Sequence, residues 1–341
     1  MIRIALDTSA LVYLVEGTSA ARERLSQRLG PVLAAPTGQV VASRLARLHP
    51  ASRPERHGVS VARDLAYDPA HPARRLDVWR PERADGAPLP ALLYVHGGGF
   101  RILSKDTHWV MALGFARRGF VVFNVDYRLA PADPFPAAVE DVSAAYAWVA
   151  ENASRFGADV SRLVLAGESA GANLVTALTV AACFERPELF ARRVFDTGVV
   201  PRAVLPACGI HEVSDPGRFR RRKPRLSRFL MDRIEEVSHG YLGHLDDHDG
   251  AHTDLANPLR VFEGDVLPAR PIPPFFLTCG TADPILDDTR RLHAALTRRG
   301  AVSEARYYPG EPHAFHALVF RESARRHWRD SYAFLDRHVP R

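Results

Sequence analysis

The stretch "VLAGESAGANL", residues 164–174, runs from a short apolar segment into a helical pattern through a Gly-Glu-Ser-Ala-Gly pentapeptide. A buried run followed at once by an apolar helix predicts a strand, a sharp turn and a helix in direct succession. Gly167 and Gly171 flank the serine where any larger side chain would collide with a neighbouring strand or helix. We therefore expect Ser169 to be exposed in a strained turn at the carboxyl edge of a sheet, where a helix begins near Ala170.

The same alternation of strand and helix patterns continues on both sides of this turn. Connections of this kind join parallel neighbours through right-handed crossovers. The sequence therefore predicts an α/β fold, with a doubly wound, mostly parallel eight-stranded sheet covered by helices on both faces. The predicted strands are 58–67, 74–81, 91–95, 120–127, 162–169, 202–209, 274–280 and 303–310, and the predicted helices are 107–119, 134–157, 170–185, 287–300 and 322–339.

Two parts of the chain fall outside this alternation. Residues 1–55 combine short helical patterns with a proline-rich stretch, and an irregular insertion occupies about 209–262. We interpret the first as an N-terminal cap segment and residues 56–341 as the main domain. The insertion is then the second half of one shared cap.

The charge pattern does not predict a nucleic-acid partner. The formal net charge is +6 over 341 residues, but the arginines are scattered and acidic residues lie between them. One basic run, "GRFRRRKPRLSRF" at 217–229, is concentrated. We interpret it as a solvated surface, with attraction of an anionic surface or an acidic substrate as the alternative.

Cysteine spacing and hydropathy indicate the compartment. The three cysteines, Cys183, Cys208 and Cys279, lie too far apart for a metal or redox motif, which predicts free thiols in a reducing compartment. The N-terminal run "ALVYLV" is too short for a signal peptide, and no stretch approaches the roughly 18 apolar residues that span a bilayer. The sequence thus predicts a cytoplasmic protein without stable membrane insertion.

A serine in such a turn becomes a nucleophile only if a base takes its proton and an acid orients that base. In chains with this strand, turn and helix, the acid follows the serine and the base comes last. Asp283 lies just beyond a late strand and is the favoured acid. Asp287 and Asp288 fall in the first turn of the next helix, where capping and the helix dipole explain them.

Fifteen histidines compete for the role of base. His313, in "YYPGEPHAFHAL", lies on the loop after the last strand and is favoured by that placement. His316 is its near rival and is expected one turn into the following helix.

The stretch "ALLYVHGGGF", residues 91–100, ends the third strand with three consecutive glycines. When a serine attacks an ester carbonyl, backbone N–H groups must meet the oxyanion, and one of them belongs to the residue after the nucleophile, here Ala170. The glycines let further amides enter the site. A glycine-rich turn without a ligand and a phosphate cradle are the alternatives, although "HGGGFRILSK" lacks the Lys-Ser/Thr ending of a phosphate loop.

With "HGGGF", "DYRLAP", "FPAAVED", "GESAGANL", "ADPILDD" and "EPHAF" in this order, residues 60–341 resemble the hormone-sensitive-lipase group of α/β-hydrolase esterases. The resemblance implies Ser169 as nucleophile, Asp283 as acid and His313 as base. It implies that Gly98 and Gly99 join Ala170 in the oxyanion hole. Gly97 would then form the turn, and His96 would brace the loop.

The resemblance carries further expectations. It implies that the segment Asp126–Pro131 braces the glycine loop, that the two irregular regions form a helical cap, and that short to medium acyl esters are hydrolysed without a cofactor or metal. The chain departs from the group at Glu168, where Asp or Thr is more frequent, and at Ala172 and Ala314, where glycine is common.

The expected function is that of a serine carboxylesterase acting on a small-molecule ester. A deacetylase or amidase of a specialised metabolite would use the same chemistry. A non-catalytic ligand receptor on the same fold is the third hypothesis, because fold alone does not fix function. A homodimer is among the oligomeric states that the sequence allows.

Overall fold

The computed structural model describes residues 52–82, 86–224, 226–243, 253–319 and 321–340. The predicted N-terminal cap segment therefore lies outside the described residues except for its last few. Of these, Pro54–His57 form a single 3-10 turn that ends at Gly58 and leads into the first strand.

Eight strands form one sheet in the order β1-β2-β4-β3-β5-β6-β7-β8. β1 and β4 both pair with β2 in antiparallel register, whereas every other neighbouring pair is parallel. The predicted doubly wound, mostly parallel sheet is confirmed. Its strands are β1 Val59–Ala66, β2 Arg75–Pro81, β3 Leu89–Val95, β4 Val121–Val125, β5 Ala158–Glu168, β6 Ala203–Ala207, β7 Phe275–Gly280 and β8 Ser303–Tyr308.

Helices cover both faces of the sheet, because alternate residues of its central strands point to opposite sides. On β3, Leu93 and Val95 pack with one group of helices, and Leu92 and Tyr94 pack with the other. The first face carries α2, α3 and α8, and the second carries α1 and α9. The helices of the described ranges are α1 Trp109–Ala116, α2 Ala137–Asn152, α3 Ala170–Cys183, α4 Leu189–Asp196, α5 Arg218–Arg222, α6 Arg228–Leu242, α7 Pro258–Glu263, α8 Leu286–Arg298 and α9 Glu322–His338.

The insertion at about 209–262 is more regular than the sequence analysis expected. Within its described residues it holds α5 and α6 and most of α7. The residues of α6 that are buried include Met231, Ile234 and Tyr241, so one stripe of this helix packs against the protein. The helical content agrees with the expected cap, and the assignment of the insertion to a cap remains a prediction.

Asp288 and the basic run have roles that their local sequence did not reveal. Asp288 is buried, and its Oδ2 accepts hydrogen bonds from the backbone N–H groups of His211 and Glu212 and from Arg218. Asp288 therefore fastens the insertion to α8. Helix capping and the helix dipole, which the sequence suggested, do not explain this residue. Arg218, the first arginine of the basic run, is buried in this ion pair and is not part of a solvated surface.

The described helices are all too short or too polar to cross a bilayer.

A very close backbone contact lies between α3 and the end of β3. A Cβ atom placed on Gly171 would lie 2.1 Å from the carbonyl oxygen of Val95 and 2.6 Å from that of His96. Both neighbours are backbone atoms, so the contact cannot be relieved by rotating a side chain. Glycine at this position is what allows the helix to start beside the third strand.

We expect Gly171→Ala to lower the free energy of unfolding by about 3 kcal/mol, the upper end of the usual cost of overpacking. Urea unfolding followed by circular dichroism measures this. Gly217→Ala is the matched control, because its Cβ would meet only side-chain ends, the guanidinium of Arg221 at 3.1 Å and the carboxylate of Asp215 at 3.6 Å. Equal urea midpoints for the two variants would contradict the backbone clash.

Candidate active site

Ser169 lies in the tight turn between β5 and α3, as the sequence analysis expected. Its backbone has φ 53° and ψ −114°, a region that non-glycine residues rarely adopt and that costs about 1–3 kcal/mol. The turn is held by a hydrogen bond of 2.9 Å from the N–H of Ser169 to the carbonyl oxygen of Ala207 on β6. The strained turn presents the serine at the carboxyl edge of the sheet.

The structure brings Ser169, Asp283 and His313 together from the loops after three parallel strands. Nε2 of His313 lies 3.0 Å from Oγ of Ser169, and Nδ1 of the same ring lies 2.8 Å from Oδ2 of Asp283. The other carboxylate oxygen of Asp283 accepts the backbone N–H of Ile285 at 2.9 Å. The imidazole is thus oriented by a carboxylate on one side and faces the hydroxyl on the other.

Charge and burial act in opposite directions on this pair. Burial alone would raise the pKa of Asp283, but the charge of His313 and its hydrogen bond lower that pKa below the ordinary value. Burial would lower the pKa of His313, yet the carboxylate of Asp283 outweighs it and holds that pKa well above its usual range. Asp283 is fully buried, whereas 35% of the His313 side chain is exposed. The pair is therefore a carboxylate beside a basic imidazole that solvent can reach.

The rival residues lie elsewhere. His316 belongs to the 3-10 turn Phe315–Ala317 before α9, and its Nε2 lies 2.7 Å from Oε2 of Glu168. Asp287 forms an ion pair of 2.8 Å with Arg222. His316 was expected one turn into the last helix, but it lies before that helix and is buried beside Glu168.

The glycine loop after β3 faces the same edge of the sheet. Gly98 and Gly99 have φ values of 110° and 59°, in the left-handed region that favours glycine. A Cβ on Gly98 would lie 2.0 Å from the carbonyl oxygen of Ile102. Among the described residues, no backbone carbonyl accepts the N–H groups of Gly98, Gly99 or Ala170 outside the helix ladders. These three groups are the backbone donors that the sequence analysis named.

His96 braces this loop, and its environment excludes the role of a base. Its Nδ1 lies 2.7 Å from the carbonyl oxygen of Gly97, and its ring stacks on Tyr127 with centroids 4.3 Å apart. The Tyr127 hydroxyl donates to the His96 carbonyl at 3.0 Å. Burial, followed by the charge of His108, lowers the pKa of His96 to about 3. The segment Asp126–Pro131, which contains Tyr127, therefore contacts the loop as the resemblance implied.

Helix α6 of the insertion packs directly on the glycine loop. Tyr241 stacks on Phe100 with ring centroids 3.6 Å apart, and Arg101 forms an ion pair of 2.5 Å with Glu236. A Cβ on Gly99 would lie 2.7 Å from Cγ2 of Val237. The insertion thus places an apolar side chain beside one of the three N–H donors.

Sequence reasoning did not identify Cys208 as a neighbour of the site. Cys208 follows β6 with φ 41°, and burial raises the pKa of its thiol. Its Sγ and ligand atoms of Asp283 and His313 all lie within 4.8 Å of one another, a spacing that a metal ion could use. Asp283 and His313 are already paired with each other by their hydrogen bond. Its position near the end of the predicted strand 202–209 was the one sequence clue to Cys208.

Comparisons with known proteins identify the family and support the fold. Residues 92–317 match the model of a family described as alpha/beta hydrolase fold. Esterase LipI of Mycobacterium tuberculosis is 32% identical over 246 residues, which are 71% of this chain and 70% of that protein. Carboxylesterase NlhH of the same species is 33% identical over 239 residues, which are 70% of this chain and 69% of that protein.

A solved structure extends the likeness to nearly the whole chain. Esterase LipW from Mycobacterium marinum superposes with a TM-score of 0.68 at 24% identity, covering 98% of this chain and 96% of that chain. At this level of identity the superposition supports the fold. Together with the family match and the sequence relatives, it shows that this chain belongs to the α/β-hydrolase-fold family, as its motifs predicted.

Proposed function

We propose that this protein is a serine carboxylesterase in which Ser169 is the nucleophile, His313 the general base and Asp283 the acid that orients it. The observation that carries the proposal is the continuous chain from Ser169 Oγ to His313 Nε2 at 3.0 Å and from His313 Nδ1 to Asp283 Oδ2 at 2.8 Å. The names of the sequence relatives, an esterase and a carboxylesterase, support ester hydrolysis.

Acylation begins when Oγ of Ser169 attacks the ester carbonyl carbon and His313 takes its proton. The carbonyl oxygen becomes an anion, which the N–H groups of Gly98, Gly99 and Ala170 would bind. Each such donor stabilises the transition state by about 3 kcal/mol. The positive end of α3 adds to this stabilisation because the helix begins at Ala170.

Collapse of the tetrahedral intermediate breaks the bond to the leaving oxygen, which receives the proton from His313 and departs as an alcohol. Water then attacks the acyl-serine, with His313 again taking a proton, and a second tetrahedral intermediate releases the acid and restores Ser169. Asp283 stays ionised throughout, since its lowered pKa keeps the carboxylate available to stabilise the imidazolium.

We infer that the insertion is a helical cap and that it restricts the acyl group to short and medium chains. Helix α6 lies on the glycine loop, and Val237 points at Gly99, so an acyl chain leaving the oxyanion site on this side meets a branched apolar side chain. No second function is favoured by a feature of the site. The amide-hydrolysing alternative would show itself in a panel that pairs acetate esters with N-acetyl compounds.

We also infer a cytoplasmic location. Cys183, Cys208 and Cys279 are all free and buried, which suits a reducing compartment. The homodimer remains a prediction.

Ser169→Ala should reduce hydrolysis of p-nitrophenyl acetate and butyrate by at least about a thousandfold, because the covalent route is lost while the binding groups remain. Release of p-nitrophenol measures this. The control is Ser161→Ala, which removes an exposed hydroxyl bonded to Asp159 and should retain full activity. A Ser169→Ala variant as active as the wild type would overturn the proposal.

The rate should depend on pH through His313. The imidazole must be neutral to accept the serine proton, and Asp283 holds its pKa well above the usual 6.5. We therefore expect kcat/KM to fall as pH drops below that raised pKa and to reach a plateau only on the alkaline side. The measurement is kcat/KM for p-nitrophenyl acetate against pH, corrected for spontaneous hydrolysis.

Asp283→Asn provides the matching variant. Without the carboxylate charge, burial is left to lower the pKa of His313, so the midpoint of the residual activity should move to lower pH. The rate should fall by about ten-thousandfold, since the imidazole loses its orienting partner. Two results would argue against the pairing of His313 with Asp283. One is a wild-type pH midpoint of kcat/KM at or below 6.5, and the other is a midpoint that does not move in Asp283→Asn.

Val237→Ala should shift the acyl preference toward longer chains. Removing two methyl groups beside Gly99 enlarges the space there, and we expect the kcat/KM ratio of octanoate to acetate ester to rise about tenfold. A p-nitrophenyl ester series of increasing acyl length measures it. Leu189→Ala, at a highly exposed position on α4, is the control and should leave the ratio unchanged. If the ratio of octanoate to acetate ester is the same in both variants, Val237 does not limit the acyl chain.

A further inference from the structure

We propose that Glu168 is a positioning residue. Its buried carboxylate fixes three segments relative to one another: the glycine loop, the turn that carries Ser169 (the serine turn) and the loop that carries His313 (the base loop). This inference rests on the proposed function. Glu168 directly precedes Ser169, is only 4% exposed and takes no part in the steps described above. A buried carboxylate without partners would be strongly unfavourable, so its contacts explain why it is there.

The first contact reaches the glycine loop. Oε1 of Glu168 accepts a hydrogen bond of 2.8 Å from Nε2 of His108, the residue that precedes α1 at the far end of that loop. At the near end, a Cβ on Gly97 would lie 3.0 Å from the Glu168 carbonyl oxygen and 3.1 Å from Cγ and Oε1. The Gly97 backbone therefore lies against the Glu168 side chain. Both ends of the segment that presents Gly98 and Gly99 meet this one residue.

The second contact reaches the base loop. Oε2 of Glu168 lies 2.7 Å from Nε2 of His316, three residues beyond His313. Ala314, between them, has φ 54°, so the chain turns sharply from the exposed His313 into the buried 3-10 turn. The His316 ring stacks on His327 of α9 with centroids 4.8 Å apart. One carboxylate oxygen is thus directed to the oxyanion loop and the other to the base loop.

The electrostatics fit a carboxylate with a histidine close to each oxygen. Burial alone would raise the pKa of Glu168, but the charge and hydrogen bond of His108, followed by His316, hold that pKa well below its usual range. The group is therefore ionised at neutral pH, and an ionised carboxylate can only accept hydrogen bonds. An Asp at this position, shorter by one methylene, would not reach both histidines, which accounts for the glutamate that departs from the more frequent Asp or Thr.

The consequence for catalysis is geometric. Ser169, the oxyanion donors and His313 belong to three separate loops, and the reaction requires them at hydrogen-bonding distance from one substrate. A displacement of about 1 Å can cost about a hundredfold in rate. Glu168 contacts all three loops and does not touch the reacting atoms.

The test uses Glu168→Gln, which keeps the shape but offers one carbonyl oxygen and one amide NH2, so only one of the two histidine contacts survives. We expect kcat to fall by about 10- to 100-fold while KM for p-nitrophenyl acetate stays within about threefold. Rates are expressed per active serine, titrated with a p-nitrophenyl phosphonate. This normalisation removes any loss caused merely by unfolded protein.

His316→Gln leaves the carboxylate and its His108 contact in place, and it carries the same expectation with a smaller loss. If the two residues act as one unit, the double variant should lose less than the product of the two single losses, because both changes act on the same link. His316→Gln also keeps the proposal testable if Glu168→Gln fails to fold. Single losses that simply multiply in the double variant would contradict the shared role.

Tyr146→Phe is the matched control for loss of a buried polar contact away from the three loops. Tyr146 of α2 is fully buried, and its hydroxyl donates a hydrogen bond of 2.8 Å to the carbonyl oxygen of Val199, four residues before β6. We expect it to lower Tm yet keep kcat per active serine within about threefold. The proposal is overturned if Glu168→Gln keeps wild-type kcat, or if Tyr146→Phe loses as much kcat as Glu168→Gln. Failure of the proposed function itself would look different, since wild-type protein would then neither hydrolyse the ester nor react with the phosphonate.

Discussion

The rest of the site depends on the contact between two stretches of backbone. The first turn of α3 begins so close to the end of β3 that a Cβ on Gly171 would lie 2.1 Å from the Val95 carbonyl oxygen. This proximity sets Ser169 beside the loop that begins at His96. The proposed nucleophile and the glycine N–H groups can then face one carbonyl group, although 70 residues separate Ser169 from Gly99 in sequence. A small residue at one position is the condition for both halves of the proposed anion-binding site to meet.

Environment distinguishes chemically identical histidines in this protein. His96 and His211 are buried without a carboxylate that outweighs the burial, and the pKa of each is lowered to about 3, so both are neutral. His313 has Asp283 on one ring nitrogen and Ser169 on the other, and its pKa is raised. The difference comes from the nearest carboxylate and not from burial, which acts in the same direction on all three. The carboxylate and the hydroxyl lie on opposite sides of the His313 ring, which is the arrangement that the proposed base requires.

The sequence predicted most of the sheet and three residues that the structure brings together, because these features have local patterns. The central strands are short apolar runs, β1 and β2 alternate apolar and polar residues, Ser169 lies in a strand-turn-helix motif, and Asp283 and His313 follow strands. Contacts between distant residues could not be predicted in this way. His316 contacts Glu168 across 148 residues of sequence, and Asp288 contacts the backbone at His211 and Glu212. Neither contact produces a periodic pattern, such as a trace of apolar residues, in the sequence. Helix α6 did have such a trace, in its buried Met231 and Ile234, but the basic residues before it suggested a solvated segment.

The insertion and the candidate site are in direct contact. Helix α6 rests on the glycine loop through the stacked pair Phe100 and Tyr241 and through the ion pair of Arg101 and Glu236. Phe100 and Arg101 directly follow Gly99, so any displacement of the helix acts on the backbone that carries the N–H donors. Because Gly98 and Gly99 adopt left-handed conformations between fixed neighbours, the loop has little freedom to absorb such a displacement. If the proposed roles are correct, the surface that limits the acyl group and the surface that binds the oxyanion are one structure, and a change in either is transmitted to the other.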